Sequence, residues 1–297
     1  MKTTALIVTY NRLDKLKKCW LATSKEPYDH IVIVDNCSSD KTAEWLQTLN
    51  DPRVTVMHLV ENTGGAGGFK KGAEFISSNI RTDWVFIYDD DASPSCGLLT
   101  RFYGHDLNGI SAVSCRVVDS NDVDCKMNKP FIKLPKGILE NINYFFNPDK
   151  YIPVDDKITT CKTLSFVGTV IRGDVLASAV DFIHEELFLY YDDVYFSHHL
   201  SLSGHVFKYM PDLVFVHDIP PLNKSITPTW KVYYLIRNLI FAKKYFKLET
   251  PYSTSGILFR ILKAILNFPN QNQKIQYLKY IVLAVIDGFR FKTGKRH

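Results

Sequence analysis

Long apolar runs are missing from this chain. Nowhere in its 297 residues does it approach the roughly eighteen consecutive apolar positions of a membrane span, and no secretory leader precedes the first apolar segment. A cytosolic protein is therefore expected. Cys19, Cys37, Cys96, Cys115, Cys125 and Cys161 form no C-x-x-C pair and no zinc-ligand spacing, which sets aside a redox dithiol or structural zinc and leaves free thiols. The spacing G-x-G-x-x-G is absent as well, which excludes the dinucleotide fingerprint. After the first strand the turn is Tyr10-Asn11-Arg12, without glycine. A nucleotidyltransferase would hold its triphosphate there with a basic, glycine-rich signature, so that class is disfavoured. The length suits one large domain with an appendage.

What the chain does have is Asp89-Asp90-Asp91 at the end of a short apolar, aromatic run, Asp83 to Tyr88, which reads as a buried strand. Three carboxylates where backbone pairing stops repel one another unless a cation neutralises them. Asp89 and Asp91 lie two apart, so in an extended segment they point the same way and can share a hard metal ion. A solvated acidic turn is the competing reading.

The surrounding pattern adds weight to the first. Strands at Thr4–Thr9, His30–Val34, Val54–Leu59 and Asp83–Tyr88 alternate with helical patterns, which predicts a parallel sheet with helices on both faces. Ligands bind such sheets beyond the carboxyl ends of the strands. Asn11, Asp35, the glycine-rich Gly64 to Gly68 and the aspartates all fall on that rim. The glycines are expected to form a loop that brings backbone close to a ligand.

Thr9-Tyr10-Asn11-Arg12, Val34-Asp35-Asn36-Cys37-Ser38-Ser39-Asp40 and the Asp89 to Asp91 cluster resemble, in order and spacing, the family-2 glycosyltransferases of the GT-A fold. Asn62-Thr63-Gly64-Gly65-Ala66-Gly67-Gly68-Phe69 looks most like bacterial galactofuranosyltransferases. The resemblance covers roughly the first 240 residues. It implies an α/β GT-A architecture: a Rossmann-like, mostly parallel central sheet with helices on both faces, plus a C-terminal helical extension. The expected catalytic domain is 1–228, with its nucleotide-sugar half at about 1–118 and its acceptor half at about 119–228, followed by a basic, amphipathic helical region at 229–297.

The implied activity is inverting, metal-dependent hexosyl transfer. UDP-galactofuranose is the expected donor, and a lipid-linked bacterial surface polysaccharide (or an oligosaccharide) the expected acceptor. A rhamnosyl- or hexopyranosyltransferase is the alternative within the family; a non-catalytic sugar- or lipid-binding module is the alternative outside it. Thr9, Asn11, Arg12, Asp35, Asn62, Gly64, Gly65, Gly67, Gly68, Asp89 and Asp90 would line the donor site. Asp89, Asp91 and His217 would hold Mn²⁺ or Mg²⁺, whose charge stabilises a departing nucleoside diphosphate by several kcal/mol.

Tyr191-Asp192-Asp193 is the second acidic element, ahead of a predicted helix, where capping alone would explain two carboxylates. The resemblance makes Asp193 the catalytic base and gives Asp192, with Tyr191, to the acceptor. Phe166, on a predicted strand from Thr163 to Arg172, would line the acceptor pocket. Arg237, in a Tyr-Tyr-x-x-Arg-Asn element, suits either phosphate or a surface ion pair. Asp119 to Thr160 is read as irregular, with Asn141 to Pro148 a surface connection. Basic and apolar residues interleave over the C-terminal helices, which predicts either a peripheral seat on the cytoplasmic face of the bacterial inner membrane or a hairpin packed on the catalytic domain or on a second copy. No nucleic-acid partner is expected.

Overall fold

Alternating burial on both faces of its strands is what gives this protein its layers. The computed structural model describes residues 1–154, 157–219 and 225–297. Its elements run β1 (Thr3–Thr9), α1 (Leu13–Thr23), β2 (His30–Asp35), α2 (Thr42–Leu46), β3 (Val54–His58), α3 (Gly64–Asn79), β4 (Trp84–Asp89), β5 (Ala92–Pro94) and α4 (Leu98–Tyr103). There follow β6 (Ala112–Val118), α5 (Ile138–Phe146), β7 (Thr159–Cys161), β8 (Thr169–Arg172), α6 (Gly173–Ala179), α7 (Asp192–Leu202), β9 (Phe207–His217), α8 (Lys231–Tyr245), α9 (Thr254–Leu266) and α10 (Lys274–Phe289).

One sheet holds all the strands, in the order β3-β2-β1-β4-β8-β6-β9-β5, with β7 paired to β9. β1, β2, β3 and β4 are parallel, and antiparallel pairing begins at β8. Ala5, Ile7, Ile31, Ile33 and Phe86 face the helices α1, α2 and α4 through Leu16, Leu46 and Phe102. The intervening Leu6, Val8, Val32, Val34 and Val85 face α3, α6 and α7 through Phe69, Ile76, Leu176 and Phe196. The period of two along each strand therefore builds two cores, one on each face.

The C-terminal helices make a third core. Tyr233, Ile240 and Phe241 of α8 pack with Tyr277, Ile281 and Ala284 of α10, and the same cluster takes in Ala66, Leu187, Phe188 and Tyr195. Among the described residues no helix is long and apolar enough to cross a membrane.

Three local expectations change. The glycine run is no loop: α3 starts at Gly64, the one residue among these glycines with positive φ, at 74°. Added Cβ atoms at Gly68 and Gly72 would lie 2.5 Å from Val8 Cγ1 and 2.3 Å from Leu6 Cδ1, so these glycines let the helix press onto β1. The predicted strand from Thr163 shortens to Thr169–Arg172, because Gly168 turns the chain at φ 79°. Finally, Asn141 to Phe146 belongs to a helix, α5, whose start is fixed by the Glu140 carboxylate accepting from the Gly137 amide at 2.9 Å. Its Leu139, Phe145 and Phe146 are 72–78% exposed, an apolar face turned to solvent.

Candidate active site

Register brings the strand ends together. Thr9 pairs with Asp35 across β1 and β2, and Val8 with Asp89 across β1 and β4, so all three strands end on one rim. β5 then runs antiparallel to β9 with Ala92 opposite His217. That pairing sets the His217 Nε2 atom 3.2 Å from Asp91 Oδ1, while Nδ1 faces Asn128 Oδ1 at 3.1 Å.

The three aspartates have different surroundings. Asp90 is buried and satisfied: its carboxylate accepts from the Thr9 hydroxyl at 2.7 Å, the Tyr10 amide at 3.4 Å and Arg12 at 3.3 Å. Arg12 also bonds Asp91 at 2.6 Å. Burial raises the Asp91 carboxyl, but His217 and Arg12 outweigh it and hold the group below the usual carboxylate range. Asp89 accepts no hydrogen bond from the described residues. Burial, then Asp91 and Asp90, push its pKa well up, which marks the place where a cation would relieve most repulsion.

Among the described residues no three His, Cys, Asp or Glu side chains converge in a ready-made metal cluster. Arg12 occupies part of that role by bridging Asp90 and Asp91. The donor chemistry nonetheless fits a divalent ion: one unpaired recessed carboxylate beside a carboxylate–imidazole pair, suited to Mn²⁺ or Mg²⁺.

A cavity of about 330 Å³ opens on this rim, lined by Thr9, Arg12, Asn62, Gly64, Gly65, Asp89 and Asp90. A Cβ at Gly65 would meet nothing within 4 Å, so this residue faces open space. Gly67 and Gly68 turn instead into the protein as helix residues. Asn11 and Asp35 brace the wall: Asn11 Oδ1 accepts from the Ser39 amide at 2.7 Å, and Asp35 accepts from the Ser38 amide at 3.0 Å and pairs with His58 at 3.1 Å.

Among the residues of this cavity not assigned to it from sequence are Asn36, Trp230 and Lys231. Asn36 ties the wall together, accepting from the Thr63 amide at 2.9 Å and donating to the Gly64 carbonyl at 2.8 Å. Its place beside Asp35 at a strand end was the available signal. Trp230 and Lys231 arrive from the start of α8, far along the chain. Lys231 is a recessed cation, its pKa lowered by burial and by Arg12, with Asp91 opposing. Only the fold makes it a neighbour of the aspartates.

Asp192 and Asp193 stand in the first turn of α7, just after Phe188 and Leu189, which line the cavity. Burial and then Asp193 raise Asp192 to about 8, and its carboxyl in turn adds to the charge felt by Asp89. Burial raises Asp193 to about 6 against the opposing hydrogen bonds from the Val194 and Phe166 amides. Both carboxyls are therefore held above the usual carboxylate range, Asp192 further than Asp193. The approach to this pair is strained. Phe188, Tyr190 and Tyr191 all have φ near 67°, a region that costs non-glycine residues on the order of 1–3 kcal/mol each.

Arg237 and Asn238 hold that strain in place, which corrects the expected acceptor contact. Arg237 is fully buried and donates to the carbonyls of Glu186, Leu187 and Gly294. Asn238 Nδ2 donates to Leu187, Leu189 and Tyr190. Both side chains are spent on backbone, as buried donors must be. Phe166 is likewise a core residue against Phe69 and Phe196, and only its amide meets Asp193. Tyr191 does line a surface groove beside the pair. His198 and His199 are structural: His198 bonds the Glu249 carbonyl at 2.6 Å, and His199 meets His184 at 3.1 Å.

Comparison with known proteins matches this arrangement. A dTDP-rhamnosyl transferase, RfbF, of Shigella flexneri is 24% identical over 98% of this chain and 96% of its own length. The mannosyltransferase PcManGT of Pyrobaculum calidifontis, solved with GDP-Man and Mn²⁺, shares the fold at a TM-score of 0.53 and 15% identity, over 98% of this chain and 88% of its own. TarS 1-349 of S. aureus, solved with UDP-GlcNAc, matches at a TM-score of 0.53 and 15% identity, over 98% of this chain and 76% of its own. The family model "Glycosyl transferase family 2" spans residues 4–166, over half of the chain. With that match over more than half of its length, this chain belongs to glycosyl transferase family 2 and is a glycosyltransferase.

Proposed function

We propose that this enzyme transfers a hexosyl group, with inversion, from a nucleoside-diphosphate sugar to a lipid-linked glycan acceptor of a bacterial surface polysaccharide. The observation that carries this reading is the Asp192–Asp193 pair set close enough for Asp192 to add to the charge at Asp89, on whose cavity the Arg12 and Lys231 cations stand. Arg12 and Lys231 suit a diphosphate, since both are cationic donors at the carboxylate rim. Asp193 takes the proton of the acceptor hydroxyl as that oxygen attacks the anomeric carbon, and the bond to the diphosphate oxygen breaks. One base and one displacement invert the configuration. Asp89, Asp91 and His217 would hold a divalent metal, which when bound offsets the charge growing on the leaving diphosphate.

For the donor, dTDP-rhamnose comes first, because the rhamnosyl relative aligns from end to end with this chain. UDP-galactofuranose, suggested by the glycine run, is the second donor. The exposed apolar side chains of α5, α9 and α10, with Arg260 and Lys263 on α9 and Lys274 and Lys279 on α10, suit a peripheral seat on the cytoplasmic face of an inner membrane rather than a span. A homo-oligomer through the same helices is the alternative, separated by flotation with anionic vesicles at low and high salt.

The direct test is incubation with a panel of nucleotide sugars and Mn²⁺, following release of the nucleoside diphosphate and the anomeric configuration of the product. Release from dTDP-rhamnose with inversion supports the reading. Turnover of none of the panel, or retention of configuration, removes it.

A further inference from the structure

Two apolar cavities flank a pair of cations on α9, outside the donor site. The first, of about 620 Å³, lies between α8 and α9 and is lined by Leu235, Leu239, Leu266 and Tyr277 together with Tyr191. The second, of about 450 Å³, lies between α5 and α9 and is lined by Ile142, Phe145 and Phe259. Arg260 and Lys263 line both. They stand three apart on one helix, so they share a face.

These cations lack anionic partners. Among the described residues no carboxylate lies within ion-pair distance of either one. Arg260 is pre-positioned: its guanidinium stacks 4.4 Å over the Tyr252 ring and donates to the Pro135 carbonyl at 2.9 Å. That posture leaves some of its five donors free. Lys263 is exposed and makes no hydrogen bond among the described residues. Two cations without carboxylate partners between apolar walls are complementary to an anionic head joined to a hydrocarbon chain.

The groove also leads to the chemistry. Tyr252 meets Tyr191 edge to face at 5.8 Å, and Tyr191 directly precedes the carboxylate pair. Tyr191 lines the same cavity as Arg260 and Lys263, so a ligand held there reaches the residue next to the carboxylate pair.

We propose that Arg260 and Lys263 bind the phosphate or diphosphate of a lipid-linked acceptor, with the first isoprenoid or acyl units in the groove between α8 and α9 and the sugar directed past Tyr191 to Asp193. This rests on the transferase reading above and adds to it the site and the residues. Phe145 and Phe146 of α5, both exposed, border the second cavity beside the same two cations.

The test uses the full chain and farnesyl diphosphate as a soluble probe, with inorganic pyrophosphate and farnesol as comparison ligands, measured by calorimetry. Farnesyl diphosphate should bind more tightly than either comparison ligand, and saturating UDP or dTDP should leave it bound. Lys263→Glu should weaken it by at least about tenfold, since a charge-assisted contact becomes a repulsion. Lys279→Glu makes the same charge change on exposed α10 and should keep wild-type affinity. Arg260→Gln tests the second cation, and nucleoside diphosphate affinity in the same samples separates a folding defect from loss of the lipid site. Equal affinity in Lys263→Glu, or displacement by nucleoside diphosphate, overturns the site while leaving the transferase reading standing. Lipid binding in a protein that turns over no nucleotide sugar would do the reverse.

Discussion

Replacing Asp193 by Asn separates a catalytic base from a helix cap, because the two roles move stability in opposite directions. Burial lifts this carboxyl from 3.8 to about 6. Below about pH 4 the group is protonated in both folded and unfolded chains and no penalty exists. As pH rises, the unfolded chain ionises first, so the fold loses stability through the window up to about pH 6 and carries the whole penalty above it. Raising the carboxyl that far costs the ionised form roughly 3 kcal/mol. Asn escapes that penalty and retains one oxygen acceptor toward the Val194 and Phe166 amides, giving back about 1–2 kcal/mol through weaker hydrogen bonds. Asp193→Asn should therefore raise Tm at pH 8 by a few degrees, about 2–4 °C per kcal/mol, and the gain should vanish near pH 4. Turnover should fall by about 10²–10⁴ while donor affinity stays within about twofold. In the wild type, turnover should drop on the acid side with an inflection near pH 6 as the base takes up its proton. Paired melting curves and steady-state kinetics read both effects. A variant with near wild-type turnover and a lowered Tm would refute the assignment and make Asp193 a cap.

Asp91→Ala should abolish transfer, and EDTA should silence the wild type reversibly on adding Mn²⁺; full activity in EDTA would remove the metal from the site. Lys231→Met should raise the donor KM and the nucleoside diphosphate Kd by about tenfold, the size of one lost charge-assisted hydrogen bond, with a weaker salt dependence in titrations. Arg237→Ala should cost on the order of 2–4 kcal/mol in denaturant unfolding, because it leaves the Gly294 carbonyl without its donor and removes one partner each from the carbonyls of Glu186 and Leu187. An acceptor-binding Arg237 would instead change KM and leave stability alone. Gly68→Ala should destabilise by about 1–3 kcal/mol, since its Cβ would lie 2.5 Å from Val8.

The donor rim was legible because it is local. Strand periodicity and the residues at each strand end suffice to put Thr9, Asp35 and Asp89 in one row, and parallel pairing does the rest. His217 was reached from sequence by resemblance, yet its neighbour Asp91 is set by an antiparallel pairing 125 residues away that no local pattern displays. The glycine run misled because glycine signals both loops and close helix–strand contacts, and Gly68 and Gly72 serve the second use. Asn141 to Phe146 misled in the opposite sense: asparagines masked an apolar spacing that forms α5. Arg237 and Lys231 exchanged roles for one reason. Six residues apart on α8, one enters the core and the other the donor cavity, and the helix's docking alone decides which.

That docking sets where this enzyme can be cut and recombined. α8 carries Lys231 to the Asp89 cavity at its start, Leu235 and Leu239 to the apolar groove against α9 along its length, and Arg237 with Asn238 to the strained loop before Asp192. A chimera that grafts another enzyme's C-terminal helices after residue 228, to borrow its acceptor range, would also exchange the donor cation and the clamp. A workable graft must therefore take the loop from Glu186 to Tyr191 along with α8, α9 and α10, so that the two halves of the clamp come from one parent.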